Sequence, residues 1–93
     1  MALARVVSFE GVSSERMAEL TSELGDGPPE GMPASELLIL HDPEGERSLA
    51  IVFFETEEDY RKGHEMLEAM PTSDTPGRRT SVTKYDVAVR AAG

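Results

Sequence analysis

Two apolar runs joined by a turn constrain this chain more than anything else in it. Leu37-Leu38-Ile39-Leu40 and Leu49-Ala50-Ile51-Val52-Phe53-Phe54 contain no polar residue, and between them lies Asp42-Pro43-Glu44-Gly45. Proline in the second turn position and glycine in the fourth is the chemistry of a type I turn, so Glu36–His41 and Ser48–Glu55 read as the strands of one hairpin. In the second strand Leu49, Ile51 and Phe53 point one way, and Ala50, Val52 and Phe54 the other. A strand with one wet face alternates between apolar and polar residues. A continuous apolar run instead predicts cover on both faces.

The rest of the chain supplies part of that cover. Leu3–Glu10 reads as a strand with Arg5, Val7 and Phe9 opposite Val6 and Ser8, and Gly11 breaks it. Ser13 or Ser14 caps a helix reaching about Leu24, with Met17, Leu20 and Leu24 as its apolar stripe and Gly25 as its stop. Residues 26–35, rich in proline and glycine, form a loop. It reads first as a surface connection and second as a lid with Met32 at its tip.

Thr56 caps a second helix, with Asp59 as the acidic member of a capping box. Tyr60, Gly63, Leu67 and Met70 form its buried stripe, and Pro71 ends it. A mid-helix glycine costs about 1 kcal/mol against alanine, so Gly63 points to close backbone packing. Residues 71–79 form a second loop. Thr80–Arg90 is a last strand, with Tyr85, Val87 and Val89 opposite Val82, Lys84, Asp86 and Ala88.

The predicted order is βαββαβ: one α+β, ferredoxin-like domain over residues 1–93, a four-stranded antiparallel sheet with two helices on one face. The other face is expected to carry Ala50, Val52, Phe54 and part of Leu37–Leu40. Exposed, that would be an apolar patch of the kind that marks a partner. A homodimer through the sheet face is its simplest cover, and a chain of 93 residues has limited capacity to bury a core alone.

Composition removes several functions. Eighteen Asp and Glu against nine Lys and Arg leave a net charge of −9, which argues against a nucleic-acid partner. The absence of cysteine removes disulfides, thiolate zinc sites and iron–sulfur ligation. The chain has no Asn, Gln or Trp, so an acylphosphatase-like asparagine site is excluded too. No apolar run approaches membrane-spanning length and no signal peptide is evident, which predicts a cytoplasmic protein of bacterial style with no membrane partner.

The βαββαβ order, the Asp42-Pro43-Glu44-Gly45 hairpin, the run Phe54-Glu55-Thr56-Glu57-Glu58, and the closing Arg78-Arg79-Thr80-Ser81-Val82 with Tyr85-Asp86-Val87 resemble the antibiotic-biosynthesis-monooxygenase-like branch of the dimeric α/β-barrel superfamily. Within it, the closing motif resembles a subgroup of small uncharacterised bacterial proteins. The resemblance implies a homodimer with sheets face to face and a cavity between each sheet and its helices. Oxygenases of that superfamily tend to rely on Asn and Trp, which this chain lacks, so the resemblance carries over no catalytic residue. Relatives often have Trp where Phe54 stands.

The residues leave two functions open. One is a cofactor-independent monooxygenase-like protein holding a small apolar or aromatic ligand between sheet and helices. The other is a non-catalytic ligand-binding or regulatory dimer. His64, four residues after Tyr60 on the second helix, is the candidate base; Tyr60, Tyr85 and Phe54 are the remaining candidate ligand contacts. Arg78 and Arg79 read as an anion clamp or, preferably, as members of ion pairs. No cofactor or metal is expected; His41, beside the turn, has no second ligand at metal-binding spacing and reads as structural or solvent-facing.

Overall fold

The computed structural model describes residues 2–24, 31–69 and 77–91. Its elements are β1 (Leu3–Glu10), α1 (Ser14–Leu24), β2 (Glu36–Asp42), β3 (Arg47–Phe54), α2 (Glu57–Glu68) and β4 (Arg78–Asp86). The strands form one sheet in the order β2-β3-β1-β4, every neighbouring pair antiparallel. This is the ferredoxin-like α+β arrangement expected from the sequence. The stops assigned to Gly25 and Pro71, the side chains of Leu24 and Met70, and loop residues 26–30 and 71–76 lie outside the described residues.

Local chemistry sets the element ends. Ser13 is the cap of α1, its hydroxyl accepting from the Arg16 N–H at 3.1 Å. Thr56 does the same for α2 through the Asp59 N–H at 3.1 Å. In the hairpin, Asp42 Oδ1 accepts from the Gly45 N–H at 3.1 Å and Oδ2 from Arg47 Nη2 at 2.9 Å. The Arg47 bond, helped by the Gly45 N–H, holds the Asp42 carboxyl below its ordinary value. Glu46 takes a left-handed φ of 51° to return the chain into β3.

The last strand differs from its expected span of Thr80–Arg90. It begins two residues earlier because Arg78 pairs across to Glu10, and it ends at Asp86 because β1 begins at Leu3. One further bond, Val87 N–H to Ala2 O at 2.9 Å, uses up the facing backbone.

Cross-strand partners share a face, so the register sorts the side chains. Leu3, Arg5 and Val7 stand opposite Phe54, Val52 and Ala50 of β3, and Val52 and Ala50 stand opposite Leu37 and Ile39 of β2. This is the face the helices cover. Leu3, Val52, Phe54 and Tyr60 form one buried cluster, edged by Met32, Ala34, Leu37 and Leu67. Val7, Phe9 and Val12 form a second, edged by Met17, Ala50 and Val82. Met32 therefore packs at the edge of the core.

The assignment of Ala50, Val52 and Phe54 to the uncovered face is overturned. They face the helices, and Leu49, Ile51 and Phe53 lie on the open face with Leu38 and Leu40. Period-two alternation separates two faces without saying which one meets the helices, and both sets here are equally apolar.

Candidate functional site

A charged residue lies between the two apolar clusters. Arg5 is next but one to both Leu3 and Val7 on β1, points toward the helices and is only 4% exposed. A buried guanidinium needs partners for its N–H groups, and α2 provides two. Arg5 Nε donates to His64 Nδ1 at 3.0 Å, and Arg5 Nη2 donates to Glu68 Oε1 at 2.8 Å. Burial pulls the Arg5 guanidinium below its ordinary value, and Glu68 works against that shift.

Glu68 also receives Arg79, whose Nη1 and Nη2 donate to its two oxygens at 2.9 and 3.3 Å. Arg79 foremost, with Arg5 behind it, holds the Glu68 carboxyl below its ordinary value. A β-bulge makes this geometry. The β1–β4 register shifts between Ser8 and Phe9, leaving Thr80 as the extra residue, so Phe9 pairs with Arg79. The shift places Arg79 on the helix side, within reach of α2.

The Arg5 bond has a chemical consequence for His64. A neutral imidazole has one N–H and one lone pair. Since Nδ1 accepts from Arg5, the proton resides on Nε2, and the ring keeps no lone pair free to take a proton from a substrate. His64 in this arrangement is a hydrogen-bond donor. Its ring lies nearly parallel to Tyr60, with planes 8° apart and centroids 6.0 Å apart. Tyr60 meets Phe54 edge to face at 5.4 Å, and Lys84 Nζ lies 5.0 Å from the Tyr60 centroid.

A surface groove of about 480 Å³ opens along this row, lined by Glu57, Glu58, Tyr60, Arg61, His64 and Lys84. Three of its charges are engaged. Lys84 Nζ donates to both oxygens of Glu57 at 2.9 and 2.7 Å, and Glu57 raises the Lys84 pKa. Glu58 pairs with Lys62 at 3.3 Å. A second depression of about 480 Å³ lies at the hairpin end of the sheet, where Leu40, Asp42, Arg47 and Leu49 are among its walls.

The candidates from the sequence are thus divided. Tyr60 and His64 come together. Phe54 touches Tyr60, but at 0% exposure it is core and has no surface to offer a ligand. Tyr85 is 54% exposed on the open face, on the far side of the sheet from His64. Arg78 and Arg79 are both ion-paired within the chain, Arg78 with Glu10 at 2.8 Å. His41 is structural: its Nε2 donates to Val12 O at 3.0 Å, tying the β1–α1 connection to β2.

Arg5, Glu68, Arg61 and Lys84 were missed as site residues. For Arg5 a signal existed: a charge in the inward alternation Leu3, Arg5, Val7, Phe9. Among the described residues, no three His, Asp or Glu side chains are grouped to hold a metal ion. No helix among them is long and apolar enough to cross a membrane. No protein-family model matches this chain, and no curated protein matches it.

Proposed function

We propose that the chain works as a homodimer whose two sheets pack face to face, a non-catalytic ligand-binding or regulatory dimer of the cytoplasm, in the manner of a dimeric α/β barrel. The observation carrying this reading is where apolar surface is buried and where it is not. The space beneath α2 is occupied by Leu3, Val52, Phe54 and Tyr60, with Met32 and Leu67 closing its edge. The open face keeps Leu38 and Leu40 at 42% and 45% exposure beside the half-buried Leu49, Ile51 and Phe53. A sheet with both faces apolar calls for cover on both, and a second copy supplies a matching surface through a two-fold axis.

The oxygenase-like reading has one observation in its favour, the groove beside Tyr60 and His64. Against it stands the Arg5 bond, which occupies the lone pair a general base needs. Sedimentation equilibrium tests the proposal. The expected result is a dimer for the wild type and a folded monomer for Leu38→Glu combined with Leu40→Lys. A wild-type monomer at tens of micromolar would refute it.

A further inference from the structure

We propose that the groove between α2 and β4 is a binding site for a small carboxylate, and that Arg5 is the positioning residue that presents His64 to it as a donor. The inference rests on the ligand-binding reading above and adds the chemical class of the ligand. The groove's unengaged polar groups are donors. His64 offers Nε2–H because Arg5 Nε occupies Nδ1 at 3.0 Å. Arg61, three residues earlier on the same helix and in the same groove, brings a guanidinium that no carboxylate among the described residues pairs with.

Those two groups call for a ligand oxygen that accepts from both, and the Arg61 charge favours an anion over a neutral carbonyl. The acidic groups of the groove do not cancel this preference, since Glu57 is held by Lys84 and Glu58 by Lys62.

Arg5 never reaches the groove, being 4% exposed beneath α2. Its influence passes through the imidazole tautomer, which it sets by donating to Nδ1. Glu68 anchors the other end of the guanidinium and is itself steadied by Arg79. The donor is thereby positioned by a relay that starts inside the sheet.

The test uses uniformly ¹⁵N-labelled full-length protein with benzoate as the probe and benzamide as its uncharged counterpart. Long-range ¹H–¹⁵N correlation reads the tautomer of His64, with His41 as an internal reference because its Nε2 also donates. The expected spectrum has both rings as the Nε2–H form at neutral pH, and benzoate shifts the His64 ring saturably. His64→Phe and Arg61→Gln should each weaken benzoate by about tenfold, the size expected for losing a hydrogen bond to a charged group. Benzamide should bind more weakly than benzoate.

Arg5→Met should leave the sheet folded while allowing His64 to populate the Nδ1–H form, with weaker benzoate binding. Arg5→Lys should not restore the single tautomer, because an ammonium at Glu68 cannot also take the place of Nε. Should Arg5→Met not fold, the wild-type tautomer decides alone: a proton on Nδ1 overturns the role of Arg5. A non-saturating response at His64, or equal affinity for benzamide, overturns the carboxylate site. Sedimentation of the same samples separates the two proposals. A dimer that ignores benzoate refutes the site and spares the sheet pairing, and a monomer that binds benzoate does the reverse.

Discussion

Gly63→Ala should destabilise this protein, although the same change in most exposed helices stabilises. Removing a mid-helix glycine is worth about 1 kcal/mol in helix propensity. At position 63 the added Cβ would stand 2.5 Å from Phe54 Cζ, in contact with Cε1 as well, and 3.3 Å from Met32 Sδ. Carbon atoms prefer about 3.5–4.0 Å, so the overlap is roughly 1 Å against the ring. Phe54 has little room to yield: it is 0% exposed and braced by Tyr60 at 5.4 Å. Overpacking of this kind costs about 1–3 kcal/mol, which offsets the propensity gain and leaves a net loss of about 1 kcal/mol. For a chain of this size that corresponds to a melting temperature about 4–8 °C lower. The assay is urea unfolding followed by circular dichroism, at one fixed protein concentration so that any self-association is held constant. Phe54→Leu in the Gly63→Ala background supplies the partner measurement, since removing the ring edge should make alanine at 63 less costly than in the wild type. A Gly63→Ala variant more stable than the parent would refute the close approach of α2 to β3.

Three further outcomes follow from the local geometry. Thr56→Ala removes the acceptor for the Asp59 N–H and should cost about 1 kcal/mol, read by the same urea titration, while Thr56→Ser should retain most of that stability. Glu68 has a carboxyl held below its ordinary value by Arg79 and Arg5, so its contribution is present above the ordinary carboxylate range and is lost as pH falls through the lowered folded value. Glu68→Gln should therefore reduce stability at neutral pH and flatten its acid dependence, a difference read from thermal melts between neutral and strongly acidic buffer. His41→Ala breaks the bond to Val12 O and leaves that carbonyl without its side-chain donor. The cost should be about 1 kcal/mol, with amide exchange accelerated at Val12, whose N–H donates to Glu46 O at 2.7 Å.

The strand and helix order was legible because each device behind it is local. The Asp42-Pro43-Glu44-Gly45 turn, the Thr56 cap and the inward position of Gly63 depend on neighbours a few residues away, and they fold as their chemistry predicts. What failed was long-range. Ala50, Val52 and Phe54 alternate as cleanly with Leu49, Ile51 and Phe53 as any strand does, but alternation has no sign when both sets are apolar. The helix contacts of Phe54 decide the sign, and they come from Tyr60 and Gly63 on a later element. Tyr85 was grouped with Tyr60 and His64 for the same reason, since nothing near it in sequence says which side of the sheet it meets. The Arg79–Glu68 pair depends on a bulge at Thr80, a one-residue slip at a position occupied by neither glycine nor proline.

Arg5 is the residue whose presence stability alone does not account for. It divides a small core into two clusters, and desolvating a guanidinium costs several kcal/mol before any partner repays it. An apolar side chain of similar length at position 5 would join Leu3 to Val7 and unite those clusters. Glu68 would not be stranded by such a change, because Arg79 pairs with both its oxygens. What an apolar residue cannot do is donate to His64 Nδ1. Of the two bonds Arg5 makes to α2, the one to Glu68 duplicates a contact that Arg79 already provides, whereas the one to His64 has no substitute among the described residues. The feature of the fold that is specific to Arg5 is therefore the state of the His64 ring, which turns a buried charge in the sheet into a directed N–H at the surface of α2.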